Sequence, residues 1–361
     1  MTLGTTTTDI SWEAIVGKIR KQRAILVVGP EAFLSADKSK SLHQSLIGEL
    51  DIPNNRFIQK YYADDDFFLF NVGGGRSFTC ERIYDFYKRH APGEELIQLA
   101  RIPFHVILSV SPGKLLNKAF DKLNFQYQFD YYRKTRGPSE IKDPTVQLPL
   151  IYNLFGCIDD EESLVLTHND LYDYFKSIFA RRSMPEKLKN ALTQREINCF
   201  IFLGIPFDKW YMQLLLRELE IHRSSEDFIR YAANQSLTED VKTFCTEQFT
   251  ISFVSNNIPN FIHTLYGYCE EADILRTEQD TDRWTQIKNY LAEGKLGIAI
   301  EQFVDLTRGT ELEDEAIGIS GRHRRYERKK NQGILYGNEL DVQANQIQSS
   351  LLDLIQEAEK Q

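Results

Sequence analysis

The sequence predicts an α/β fold, a doubly wound and mostly parallel sheet, followed by a small all-α bundle. Two observations predict it. Short apolar runs bounded by turn residues recur along most of the chain, with helical patterns between them. Beyond about residue 275 the runs stop and amphipathic helical patterns continue alone. At 361 residues the chain exceeds the usual single-domain size, and the change of texture divides it into 1–275 and 276–361.

The runs are Ala24–Val28, 104–110, 148–154, Cys199–Leu203 and 251–254. They are too brief for helices and apolar almost throughout, as strands covered on both faces are. Between them, Met212, Leu215, Leu216 and Leu219 recur at helix spacing over 210–219. Such alternation implies a parallel sheet wound on both sides. Asn169 and Asp170 read as the cap of a helix carrying Leu171, Tyr172, Tyr174 and Phe175. Three adjacent carboxylates, Asp64, Asp65 and Asp66, cannot all face one ion without a tight loop. They are expected in a solvated loop before the buried segment Phe67-Phe68-Leu69-Phe70. Gly73, Gly74 and Gly75 form a flexible turn, and with no Lys-Ser/Thr after them they are no phosphate loop. No metal site is expected.

Hydrophobic residues at 42% and aromatics at 12% supply a real core. A net charge of -9 gives no global attraction to phosphate backbones or anionic lipid, so nucleic acid is not the expected partner. Neither a secretory signal nor an apolar run long enough to span a bilayer stands in the sequence, and a cytoplasmic location without membrane contact is the expectation. Cys80, Cys157, Cys199, Cys245 and Cys269 are odd in number and widely spaced, as reduced core thiols are.

The first run leads into Gly29-Pro30-Glu31, where a dinucleotide fold places its glycine-rich turn. Then follow Ser109-Val110-Ser111-Pro112-Gly113-Lys114, Asn153-Leu154-Phe155-Gly156-Cys157, Leu166-Thr167-His168-Asn169 and Phe202-Leu203-Gly204-Ile205-Pro206-Phe207-Asp208. In this order the segments resemble the sirtuin-like family of bacterial defence proteins, over residues 20–270. The resemblance implies a Rossmann-like fold and cleavage of the bond between nicotinamide and ribose. Such a site must hold a pyrophosphate, steady a ribose and stabilise an oxocarbenium-like centre. It also implies that NAD or a related nucleotide lies against Gly29, Ser35, Ser109, Ser111, Gly204 and Asp208.

The reactive positions depart from the family. Its second glycine falls on Glu31, whose carboxylate repels pyrophosphate. Its asparagine falls on Ser111, its aspartate on Gly113, and its histidine on Phe155, which neither accepts nor donates a proton. His168 is expected as a surface neighbour of a helix cap, and His105 as a satisfied core histidine. Asp208 stands where open α/β sheets bind ligands, yet a cap for the helix starting near Trp210 is the favoured role.

In the tail, Ile287, Tyr290 and Leu291 with Trp284 form one amphipathic face, and 292–295 make a turn. Ile300, Phe303, Val304 and Leu306 form the next face, and Ile347, Leu351, Leu354 and Ile355 the last. With Gly321-Arg322-His323-Arg324-Arg325-Tyr326-Glu327-Arg328-Lys329-Lys330 between the last two, the tail resembles an effector-associated domain, a small adaptor that pairs like with like. The implied partner is another protein carrying a matching helical module, or a second copy in a homo-oligomer. Six of the nine residues 322–330 are Lys or Arg. One short helix with a single tyrosine lacks a base-stacking platform. Arg322, Arg324, Arg325, Arg328 and Lys329 are therefore expected to meet an acidic face, of the kind Glu311, Glu313, Asp314 and Glu315 form. Three functions follow: an inactive sirtuin-like domain with an adaptor tail, an active NAD hydrolase, and a nucleotide sensor without chemistry.

Overall fold

The computed structural model describes residues 10–358 apart from 36–38, 135–140, 180–183, 195, 220–227, 235–236, 278–282, 293, 308–311 and 332–337. The first nine residues, Glu293, Glu311 and the side chain of Trp284 thus lie outside the described residues. The chain divides into two compact units, Met1–Thr277 and Glu278–Gln361.

In the first unit α1 (Trp12–Arg20) leads into β1 (Ala24–Val28). Next come α2 (Leu42–Leu50), β2 (Ile58–Tyr62), β3 (Phe67–Phe70), α3 (Gly75–Arg89) and α4 (Glu94–Arg101). The middle holds β4 (Val106–Ser109), α5 (Leu115–Lys122), β5 (Gln128–Tyr131), β6 (Leu150–Asn153), α6 (His168–Phe179) and α7 (Glu186–Thr193). β7 (Cys199–Leu203), α8 (Trp210–Glu218), β8 (Ile229–Ala233), α9 (Glu239–Phe249), β9 (Ser252–Phe253) and α10 (Ile258–Glu271) complete it.

Seven strands form one sheet in the order β5-β6-β4-β1-β7-β8-β9, and every pairing is parallel. All five apolar runs are strands of it. Alternate residues face opposite layers. Leu26, Ile107, Ile151 and Ile201 pack with α1, α3, α4, α5 and α10. Ile25, Leu108, Tyr152 and Phe202 pack with α6, α7, α8 and α9. Each fully buried aliphatic side chain contributes about 1.5–3 kcal/mol against the entropy of ordering the chain. The sheet is thus doubly wound.

The sequence pattern misses β5 and β8, because Asp130 and Arg230 interrupt their apolar runs although both are buried. It also misses the antiparallel pair β2 and β3, which stands apart from the large sheet. The helix cap lies two residues before Asn169: Thr167 precedes α6, its Oγ1 accepts from Asp170 N at 3.1 Å, and it donates to Asp170 Oδ2 at 2.9 Å. All five cysteines are buried and free.

Arg276 anchors the end of this unit. Its buried guanidinium donates to the carbonyls of Val146 at 3.1 Å, Ala100 at 2.7 Å and Ile102 at 2.8 Å, and to that of Phe104. A cation here also complements the carboxyl terminus of α4. His105 departs from expectation: it is buried, but its Nδ1 has no partner among the described residues. Burial first, and the charge of Arg276 second, push its pKa down to about 4, so it is neutral at physiological pH.

The second unit contains α11 (Arg283–Ala292), α12 (Leu296–Leu306), α13 (Glu313–Asn331) and α14 (Asn338–Ala358). Successive helices pack, and α14 returns to α11. Ile287, Leu291, Ile300, Phe303, Ile319, Tyr326, Ile347, Leu351 and Ile355 form its core. Gly294 takes a left-handed φ of 71° in the turn before α12.

Replacing Arg276 by alanine removes a donor from four carbonyls, of which that of Ile102 keeps its bond from Phe104 N. The expected loss is about 3 kcal/mol or more, read as a lower urea midpoint of the first unit.

Candidate functional site

The chain leaves β1 toward β4 on one side and returns to pair with β1 from the other side through β7. This reversal opens a crevice at the carboxyl ends of β1 and β7, where open α/β sheets take ligands. Here the crevice is occupied by backbone. Gly29 N donates to Leu203 O at 2.8 Å, and a Cβ on Gly29 would lie 2.1 Å from Gly204 O. Gly204 has a φ of 66°, and a Cβ on it would lie 2.6 Å from Ala32 N. The close approach of each glycine to the other's loop leaves no room for a side chain at either position.

The turn's donors are engaged as well. Glu31 N reaches Gly204 O at 3.4 Å, Ala32 N reaches Gly29 O at 3.1 Å, and Phe33 N reaches Pro30 O at 3.3 Å. With Gly29 N also bonded and Pro30 lacking an N–H, 29–33 present no unpaired amide to a phosphate oxygen. The Glu31 carboxylate faces Asn234, whose Nδ2 donates to Glu31 Oε2 at 3.3 Å and to Ile205 O at 2.7 Å. Ser35 closes its own loop by donating to Lys40 O at 2.9 Å.

Beside the crevice, Ser109 Oγ donates to Ser111 O at 2.9 Å, and Ser111 Oγ lies 3.4 Å from both Tyr87 OH and Gly113 N. Both serines are buried. A Cβ on Gly113 would meet the Tyr87 ring at 2.6 Å, so this aromatic side chain fills the space at the family's aspartate position. Burial raises the Tyr87 hydroxyl above its ordinary pKa, keeping it a neutral partner for Ser111. Phe155 stacks edgewise on Tyr174, with ring centres 5.0 Å apart, and approaches Tyr211 at 5.9 Å. Phe155, which the resemblance aligns with the family's histidine, thus lies in an aromatic core.

The loop joining β2 and β3 lies against the starts of α6 and α8. Asp65 accepts from Trp210 Nε1 at 3.1 Å and pairs with His168 Nε2 at 3.0 Å. Asp66 accepts from Tyr61 OH at 2.5 Å and pairs with His43 Nε2 at 3.3 Å. Lys209 is 8% exposed, grips Asp64 O at 2.7 Å and Ala63 O at 3.1 Å, and stands 3.6 Å from both Asp66 and Asp208. Burial works to raise the Asp66 pKa, but His43, Tyr61 and Lys209 together lower it to about 2. The expected solvated loop is thus a half-buried hub, and His168 is one of its partners. Asp208 does not cap α8: the capping position is Lys209, which makes no side-chain cap, and Asp208 is exposed beside it. Tyr87, Asn234, Lys209 and His43 escaped sequence reasoning, since nothing in their local pattern marks contacts so distant along the chain. Among the described residues no three His, Cys, Asp or Glu side chains converge as metal ligands.

In the second unit Arg322, Arg324, Arg325, Arg328 and Lys329 are exposed along α13. Tyr326 is buried in the helical core, which removes it as a stacking platform. Glu313, Asp314 and Glu315 occupy the first turn of the same helix.

The fold is a doubly wound parallel α/β domain whose loops meet at the carboxyl ends of β1 and β7, followed in the chain by a helical bundle. Residues 113–232 match the family model described as SIR2-like domain, and residues 282–359 match Effector-associated domain 11. The chain therefore carries a sirtuin-like domain and a C-terminal effector-associated module. The sirtuin-like match begins at Gly113, beyond the Gly29 turn, Ser109 and Ser111. A curated relative, a Roc-COR-CHAT protease from an unknown prokaryotic organism, is 32% identical over 85 residues, which cover 24% of this chain and 8% of that protein. Among the described residues no helix is long and apolar enough to cross a membrane.

Gly113→Ala should cost about 1–3 kcal/mol by pushing on Tyr87, and Tyr87→Ala in the same chain should relieve part of it. A double-mutant cycle in urea reads the coupling. Asp66, ordinarily near 3.8, contributes stability that is complete above that value and is lost as pH falls through about 2. Asp66→Asn should therefore flatten the acid limb of a pH-stability curve between these values.

Proposed function

We propose that this chain is a recruitment component of a prokaryotic defence-type system. Its sirtuin-like unit is without NAD-cleaving chemistry, and its helical unit docks a protein carrying a matching module. The two matched domains fit a defence-type effector architecture. The observation that carries the reading is the backbone contact of Gly29 with Gly204, together with the engaged amides of 29–33.

Further support comes from each side of the crevice. Glu31 adds negative charge where a pyrophosphate would lie. Tyr87 fills the room beside Gly113, and Phe155 has no proton to exchange. These residues do not fit NAD. The framework persists because Gly29, Gly113 and Gly204 hold the loops together, whether or not a ligand binds.

With full-length protein and NAD, nicotinamide release is expected to match a protein-free control, and calorimetric titration with NAD or ADP-ribose to give no binding heat. Release that Ser111→Ala abolishes would overturn the reading in favour of an active hydrolase. Heat without release would instead identify a nucleotide sensor. For the tail, reversing Arg324 and Arg325 to glutamate should weaken capture of a module-bearing partner by about tenfold or more. Unchanged capture would remove the basic strip from the docking surface.

A further inference from the structure

Tyr132, just past β5, and Tyr174, within α6, meet in the layer that covers one face of the sheet. Their ring centres are 4.6 Å apart and the rings cross at 77°. Tyr132 is 3% exposed and Tyr174 is fully buried, yet among the described residues neither hydroxyl has a hydrogen-bond partner. Ser177 stands near the Tyr132 hydroxyl without hydrogen-bond geometry. A buried hydroxyl without a partner forfeits the bonds it makes in water. Phenylalanine fills positions 155 and 175 beside Tyr174 without that cost, with ring centres 5.0 Å and 5.5 Å away. Two unpartnered hydroxyls in one aromatic layer therefore point to a hydrogen-bonding group that both can share.

Charge decides which kind of group fits. Burial pushes the Tyr132 hydroxyl up to about 12 and that of Tyr174 well above its ordinary pKa, so both stay neutral and can donate. Arg133 and Lys134, the cations that follow Tyr132 in the chain, are neutralised by Asp130 and Asp173. The charged groups that act on the two hydroxyls, Asp170, Asp173 and Glu218, are all negative. An anion between the tyrosines would thus be buried with no cation to offset it, which costs far more than a hydrogen bond returns. Nor do three His, Cys, Asp or Glu side chains converge there among the described residues to hold a metal ion. Water accepts from one hydroxyl, donates to another and needs no compensating charge.

We propose that the contact of Tyr132 with Tyr174 is a hydration site, in which one ordered water molecule bonds to both hydroxyls. The water links the end of β5 to α6 and fixes the ring against which Phe155 packs. The site belongs to the β5–β6 edge of the sheet, separated from β1 by β4, and is independent of whether a nucleotide binds at the crevice.

Oxygen-17 relaxation dispersion on the full chain, which counts long-lived internal waters, tests it with the near-isosteric variants Tyr132→Phe and Tyr174→Phe. Each variant is expected to hold about one such water fewer than the wild type. In urea each should lower the folded-to-unfolded ratio of the first unit about fivefold. Loss of either hydroxyl breaks the bridge, so the double variant should lose no second water, and less stability than the two single losses combined. Water numbers that stay the same in both variants overturn the proposal. So does a folded-to-unfolded ratio that rises in either variant, since that hydroxyl then had no partner to lose. Strictly additive losses overturn it too, because they assign the hydroxyls separate partners. A crystal structure grown in bromide identifies the occupant. Solvent density within hydrogen-bond distance of both hydroxyls and without anomalous signal supports water, whereas a bromide peak or no density overturns it.

Discussion

The contact between Gly29 and Gly204 is the constraint on which the first unit turns. It joins the loops leaving β1 and β7, the two strands at the centre of the sheet, at a distance that no side chain on either residue permits. From it follow the direction of the 29–33 turn, the engagement of its amides and the position of Glu31 beside Asn234. In a dinucleotide fold such a glycine permits a phosphate to approach the backbone. Here the group that approaches the glycine is the neighbouring loop.

The rest of the carboxyl edge is filled in the same manner. Tyr87 lies on Gly113, and Phe155 joins Tyr174 and Tyr211 in a buried aromatic group. Across the starts of α6 and α8 the loop between β2 and β3 is held by Lys209, His168 and Trp210. Buried aromatic area and satisfied hydrogen bonds stabilise the unit, whereas an open polar pocket would leave groups unpaired. The carboxyl edge of the sheet is thus held by packing among its own loops and aromatic side chains.

The tail separates its two tasks by helix face. Ile319 and Tyr326 turn α13 inward to the core, while its arginines and acidic first turn face solvent. Surface ion pairs are individually weak, so charges exposed in this way contribute little to the stability of the bundle. Their exposure also spares the core the cost of burying a charge.

Much of the fold was legible because burial on both faces of a parallel sheet leaves uninterrupted apolar runs, as Ala24–Val28 and Cys199–Leu203 show. Where a buried polar residue breaks the run, as Arg230 does in β8, the strand was invisible. The candidate site was legible as a set of departures, Glu31, Ser111, Gly113 and Phe155, since residue type alone decides what can accept a proton. The sequence by itself determined the sheet-and-bundle plan and the absence of the expected reactive groups at those positions. Only the tertiary structure decided what took their place, that Asp66 is gripped rather than solvated and that Asp208 caps nothing. Those outcomes depend on Tyr87, Asn234 and Lys209, which reach the site from distant parts of the chain, and contacts of that kind leave no periodicity to read.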